Sequence, residues 1–479
     1  MASNFCLITD THYYNAQALG LRTDRQQKTL NESGAILDAA LDIFIGRKDC
    51  DVLLIAGDVS CNGERESHEE LINKLRRVQA AGKRVLLITS THDFEQQSNA
   101  RRLAQGQKIG EAHTVTGEFN PGMTLRDELP VLYHEFGFSD ALSVFDELSY
   151  CAQIAPGLRA LMLNDDGGHY HAQTPGAPTD KPRDDNGIQL TADGHLLCGY
   201  SAEQLDWILG QIEQAHRDGE AIFAVTHHPL LPPFPLYPTI SKRDMLGDYE
   251  RLREILPDAG LRVIFTGHTH VHNIGHYTSA AGNSITDINT AALCGYPAPL
   301  RFCSYEDGVL DVHTECVERF VYDGKELGLD FLRDEFDRLL NDVIYSAAHD
   351  FDGFVSACRG LGLPPEKLGG HRLLVKAAGL FLEKATLGTL SRLLLCPIPK
   401  EARKVRLGGL ITEALRNIFA GTEKYSPETP VGAAAQRLAG RLQKLIGKHL
   451  KGTIAEDLPA LFASLLYDDS PDWAWSGRL

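Results

Sequence analysis
The sequence predicts an α/β protein whose last third turns helical. Three observations carry this. Apolar β-branched and leucine-rich runs alternate with helix-patterned segments through the first hundred residues. Further strand-like runs recur near 221 and 262. From about 323 only amphipathic helical spacing remains. Strand, helix, strand in this order implies parallel pairing through right-handed crossovers.

The elements follow in order. Phe5–Thr9 reads as a strand, and Asn31–Ile45 has helical apolar spacing. DVLLIA (51–56) is a second strand, Glu66–Ala80 an amphipathic helix and Arg84–Thr89 a third strand. The Gly/Pro/Asp-rich stretch 164–187 is a loop. Residues 201–219 open with a Ser cap and close with Gly, which predicts a helix. AIFAVTHHP (221–229) and RVIFTGHTH (262–270) are two more strands, and 284–322 reads as β. A boundary near 323 divides the chain into 1–322 and a C-terminal α-helical domain, 323–479.

Composition narrows the function. Hydrophobic residues make up 43% and charged residues 23%, an ordinary globular balance. A formal net charge of -17 excludes nucleic-acid binding by bulk attraction. No apolar stretch is long enough to span a bilayer, and MASNFCLITD lacks a signal-peptide pattern. Ten cysteines without a Cys-x-x-Cys pair indicate reduced thiols in a cytoplasmic protein. Residues 391–451 carry 12 Lys+Arg against four Glu, read as the solvated face of helices.

Chemistry gathers at strand ends. The first strand ends in Asp10-Thr11-His12, the second in Gly57-Asp58 and the third in Thr91-His92-Asp93. The next two end in His227-His228 and in Gly267-His268-Thr269-His270. In a parallel sheet the C-terminal strand ends share one edge, where ligands bind. Mixed carboxylate and imidazole donors suit divalent manganese, iron or zinc. A carboxylate such as Asp58 can bridge two ions, which clamp the oxygens of a phosphoryl group and make hydroxide available at neutral pH. His92 would then be a general acid, with Asp93 holding its other ring nitrogen. Gly57 and Gly267 would let the backbone come close to an ion.

Taken together, Asp-x-His, Gly-Asp, x-x-His-Asp, His-His-Pro and Gly-His-Thr-His resemble the calcineurin-like metallophosphoesterase superfamily over roughly residues 5–322. The resemblance implies a two-layered central sandwich with flanking helices, the four-layer α/β/β/α metallophosphoesterase fold. It implies two divalent metal ions. Asp10, His12, Asp58 and His270 would hold the first. Asp58, residue 91, His227 and His268 would hold the second, with His228 as the alternative to His227. Where the superfamily has Gly-Asn-His, this chain has Ser90-Thr91-His92, and a shorter hydroxyl replaces an amide oxygen ligand. Two functions remain open: a phosphoesterase acting on a small mono- or diester, or a binding or scaffold protein with an incomplete second metal site.

The remaining histidines are read more plainly. His68, His113, His134, His216, His313, His349, His371 and His449 are structural or surface residues. His272 and His276 are surface residues beyond the site. His169 and His171 lie in the polar loop within reach of a substrate, and loops 95–130 and 164–198 would set selectivity. No nucleic-acid or membrane partner is expected. The C-terminal helices supply no ligand but could form a homo-oligomer, and a chain cut near 323 is expected to keep its ions.

Overall fold
A computed structural model describes residues 2–22, 26–94, 122–145, 148–166, 198–235, 237–238, 244–360, 372–447, 456–468 and 472–479. His113, His169, His171, His371, His449 and most of the two selectivity loops lie outside the described residues.

The strands are β1 (Ser3–Ile8), β2 (Val52–Ala56), β3 (Arg84–Ile88), β4 (Ser143–Val144), β5 (Tyr150–Ala155), β6 (Leu158–Met162), β7 (Ala221–Val225), β8 (Val263–Thr266), β9 (Asn273–Thr278), β10 (Ser284–Asn289), β11 (Pro299–Glu306), β12 (Val309–Cys316), β13 (Arg319–Tyr322), β14 (Lys325–Gly328) and β15 (Ala474–Arg478). One sheet runs β15-β12-β11-β1-β2-β3, the other β4-β5-β6-β7-β8-β10-β9. The neighbours β1, β2 and β3 are parallel, as are β6, β7, β8 and β10.

Period-two alternation builds four layers from these strands. Phe5 and Leu7 of β1, with Leu54 of β2, face Phe223 and Phe265 of the second sheet. The Phe5 and Phe223 rings stack with centroids 5.0 Å apart. The alternate residues Cys6, Ile8, Leu53 and Ile55 turn outward onto the helices Ser33–Gly46 and Arg65–Ala80. On the far side Leu161, Ile222 and Ile264 meet the helices Ala202–Arg217 and Tyr249–Asp258. Each fully buried Leu, Ile or Phe contributes about 1.5–3 kcal/mol. The helix at 202 starts as expected: the Ser201 side chain accepts the Gln204 N–H at 2.9 Å.

After the β13–β14 hairpin the described residues between Leu329 and Leu466 form helices joined by turns and loops, with their own apolar cluster around Leu387, Leu410, Ala414, Ala434 and Leu438. The expectation of helices through to the end is corrected at its last step. Ala474–Arg478 pair antiparallel with β12 and complete the edge of the first sheet. An edge strand leaves a row of unpaired N–H and C=O groups, and β15 satisfies that row on β12. Trp475 and Leu479 pack against the core between the sheets. No helix among the described residues is long and apolar enough to cross a membrane.

Candidate metal centre
The strand-end motifs converge on one sheet edge. Two ligand groups form there: Asp10, His12 and His270, and Asp58, His227 and His268. A third group, His12, Asp58 and His92, lies between them, so Asp58 and His12 are common to adjoining groups. His12 Nε2 is 3.4 Å from Asp10 Oδ1 and 3.1 Å from His270 Nε2. His227 Nε2 is 3.0 Å from Asp58 Oδ2 and 3.8 Å from Asp10 Oδ1.

The backbone is bent to achieve this. Ten non-glycine residues among those described have φ in the left-handed region, and Asp10, His12, Asp58, His268 and His270 are half of them. Such conformers cost energy and cluster where function requires them. Gly57 adopts φ +89°, and a Cβ there would lie 2.7 Å from His227 Nδ1. At Gly267 a Cβ would lie 2.2 Å from Thr9 Oγ1 and 2.5 Å from Asp10 Oδ2. Both glycines therefore make room for side chains that build the site.

The donor set fits cations. Asp10 Oδ1 and His227 Nε2 are buried with no hydrogen-bond partner among the described residues. Asp10 Oδ2 is by contrast occupied, accepting from Thr9 Oγ1 and the His268 N–H. Outer contacts set the ring tautomers. The Nδ1–H of His227 donates to the Ala56 carbonyl oxygen at 2.7 Å, which turns Nε2 toward the carboxylates. Burial lowers this ring's pKa, but Asp58 and Asp10 beside it push it up to about 10, so an ion bound there would take the place of the Nε2 proton. The Nδ1–H of His270 likewise donates to Gln27 Oε1 at 3.0 Å. Burial opposes ionisation of Asp10 and Asp58, yet the surrounding imidazoles, His227 first, hold both carboxyls well below the usual range. Burial holds His12 and His268 well below the ordinary imidazole value. These are deprotonated donors, the form that binds an ion.

The adjacent histidines differ. His228 spends its Nδ1 on Asp165 Oδ1, 3.0 Å away, and tilts its ring over His268 with centroids 4.0 Å apart. Asp165 Oδ2 also receives the N–H groups of His227 and His228. Only His227 directs a ring nitrogen at Asp58.

His92 stands at the rim. Its N–H donates to Asp58 Oδ1 at 2.9 Å, and its ring lies edge-on to His12. Burial, with Lys28 nearby, lowers its pKa to about 4. The expected partnership with Asp93 is corrected: the His92 Nδ1–H donates to the Cys61 carbonyl oxygen, 2.7 Å away. Asp93 instead accepts the N–H groups of Ser60 (2.8 Å) and Ser90 (2.7 Å), stapling the second and third strand-end loops together. His and Asp adjacent in a tight turn point apart. Thr91 sits in that turn, 9% exposed, between the bonded residues Ser90 and His92.

Three contributors escaped the sequence reading. Gln27 and Lys28 come from the segment after β1, and Asp165 from the loop that follows β6. Asp165 could have been found by the strand-end rule applied to LMLND. His272 is corrected from surface to fully buried, its ring against Trp473. His68 is structural and buried, donating to the Asp93 carbonyl oxygen and accepting from the Tyr133 hydroxyl.

Comparison with known proteins follows the same lines. The sequence model of the calcineurin-like phosphoesterase family matches residues 3–272. No curated protein matches. A solved dimetal phosphatase from Danio rerio is 15% identical, covering 68% of this chain and 98% of its own, with a TM-score of 0.40. A purple acid phosphatase from yellow lupin (Lupinus luteus) is 11% identical, covering 68% of this chain and 53% of its own, with a TM-score of 0.37.

Proposed function
Because the chain belongs to the calcineurin-like phosphoesterase family, we propose that it hydrolyses small phosphoesters at a site holding two divalent ions. The observation that carries this reading is the gathering of Asp10, His12 and His270 beside Asp58, His227 and His268, with Asp10 Oδ1 buried and without a hydrogen-bond partner among the described residues. A protein with no use for ions would leave that oxygen unsatisfied at a cost of about 1–3 kcal/mol.

In this reading Asp10, His12, Asp58 and His270 hold one ion, and Asp58, Thr91, His227 and His268 hold the other. Manganese, iron or zinc, when bound, supplies positive charge for the phosphoryl oxygens and lowers the pKa of water. Asp58 keeps the two halves in register. His92 gives a proton to the leaving oxygen; a phosphate arriving beside its ring favours the protonated form. Asp93 positions the loop that carries it. The absence of disulfides among the ten cysteines supports a cytoplasmic setting. We also propose residues 1–322, completed by the edge strand Ala474–Arg478, as the catalytic part, and the helices between Leu329 and Leu466 as a part that offers a surface for self-association.

Thr91 is the one residue that favours a scaffold, since its hydroxyl is a shorter reach than the superfamily amide. Manganese-loaded protein assayed on p-nitrophenyl phosphate and bis-p-nitrophenyl phosphate separates the readings. Turnover of either ester is expected. Bound metal with no turnover of any ester would favour the scaffold.

A further inference from the structure
We propose that Lys28 binds the substrate phosphate and biases the site toward phosphomonoesters. This rests on the hydrolase reading above and adds the class of ester it prefers.

Lys28 Nζ lies 3.3 Å from His92 Nε2 and 3.3 Å from His12 Nδ1. No carboxylate pairs with it among the described residues, although Asp10 and Asp58 stand just behind those rings. The lysine is also presented rather than trailing. The Thr29 N–H and hydroxyl both donate to the Cys294 carbonyl oxygen, at 2.8 and 2.5 Å. Gln27 on its other side accepts from His270. A half-buried ammonium is thus fixed at the mouth of the site between two imidazoles.

Ring chemistry then limits what those imidazoles can accept. His92 Nδ1 carries a proton, because it donates to the Cys61 carbonyl oxygen; its Nε2 lone pair accepts one N–H from Lys28. His12 differs. A ring that offers Nε2 to a cation keeps its proton on Nδ1. Without an ion, His12 Nδ1 accepts from Lys28 Nζ, 3.3 Å away; with an ion on Nε2, the Nδ1–H and the ammonium would be two donors facing each other. Two converging donors need a shared acceptor, and an anionic oxygen meets that need. An oxygen bonded to His92 for proton transfer lies within the same reach of Nζ.

Charge supplies the selectivity. A phosphomonoester carries close to two negative charges at neutral pH, as phosphoserine does. A diester has one ionisable oxygen fewer and carries a single charge. An extra fixed cation therefore rewards the monoester more.

The test uses full-length, manganese-loaded protein carrying Lys28→Met or Lys28→Arg. In Lys28→Met, manganese content should match the parent. Its kcat/KM on p-nitrophenyl phosphate should fall roughly 10- to 100-fold, the worth of one hydrogen bond to a charged group. Inhibition by inorganic phosphate should weaken similarly, and bis-p-nitrophenyl phosphate turnover should change less than about fivefold. Lys28→Arg should recover part of the monoester rate. Equal losses on both esters would overturn the selectivity. Loss of manganese would show that Lys28 only props His12. Unchanged phosphate affinity, measured by calorimetry, would remove the contact. If the parent protein turns over neither ester, the hydrolase reading fails by itself, and phosphate calorimetry on Lys28→Met still decides whether Lys28 binds phosphate.

Discussion

The main-chain N–H of His272 donates to the carbonyl oxygen of Phe419, 3.1 Å away. The loop bearing His268 and His270 is thereby fastened to the helix Leu407–Ala420. A second fastening lies beside it. The Trp473 indole N–H donates to the carbonyls of Ala420 and Gly421, and the fully buried Arg301 donates to the carbonyl oxygen of Asp472.

Deleting residues 472–479 should therefore destabilise the protein. Arg301 would keep Thr290, Thr314 and Asn289 as acceptors but lose Asp472. Leaving one N–H of a buried guanidinium without its acceptor costs about 1–3 kcal/mol. Urea unfolding followed by circular dichroism should show the loss, and Arg301→Met in the deleted chain should restore part of it. A chain cut near 323 loses both fastenings, so its ion affinity should fall although no ligand is removed. An unchanged midpoint in the deletion would mean the strap is ornamental.

Gly267→Ala should empty the site without touching a ligand. The new methyl would meet Thr9 Oγ1 and Asp10 Oδ2, both far closer than carbon–oxygen contact allows. Asp10 must then move, and His268 loses the acceptor for its N–H. Elemental analysis of the purified variant should show at least one ion missing; full occupancy would contradict the geometry.

Asp58→Ala and His92→Ala should part company. Asp58 faces His12 and His227 and accepts from the His92 N–H, so its removal should cost metal and turnover together. His92→Ala should retain metal while slowing turnover roughly 10²–10⁴-fold, as loss of a proton donor does. Metal loss from the His92 variant would make it a ligand instead.

Much of this site was legible because strand ends are local signals. Asp10, His12, Asp58, His227, His268 and His270 each follow an apolar run, and parallel topology carries such ends to one edge. Lys28 had no such signal: its place depends on the Thr29–Cys294 bonds, between residues 265 positions apart. The role of Asp93 was misread because adjacency in sequence does not fix direction in a turn. β15 was hidden because a five-residue strand beside polar residues has too short a pattern to stand out, and its reason for being there is the open edge of β12.

Asp287 should make stability depend on pH. It accepts the N–H groups of Leu230 and Leu231, both at 2.8 Å, and burial pushes its carboxyl up to about 7. In the unfolded chain it ionises near 4. Between those values the folded protein holds more protons, so this residue's contribution to stability falls as pH rises from about 4 to about 7 and stays low above that. Asp287→Asn should lose less stability than the parent between pH 5 and pH 8. Parallel urea midpoints for the two proteins would contradict the buried proton.

Thr91→Asn should tighten the second ion. The parent should bind two manganese ions with unequal affinity, because Asp58, His227 and His268 already make three donors, the number found in open catalytic sites. Titration should show the weaker step strengthened in the variant. A single ion at saturating manganese in the parent would refute the two-ion site, and an unchanged weaker step in the variant would turn residue 91 away from it.

The grouping of Asp10 and His12 with His270 also sets a timetable for manufacture. These residues are some 260 positions apart, and a ribosome adds roughly 5–20 residues per second. For about ten seconds to a minute the nascent chain displays the first carboxylate and imidazole without the histidine that closes around them. During that interval the growing polypeptide offers only fragments of a chelate. Capture of an ion by all three residues would thus have to wait until the strand that carries His270 has been made and docked.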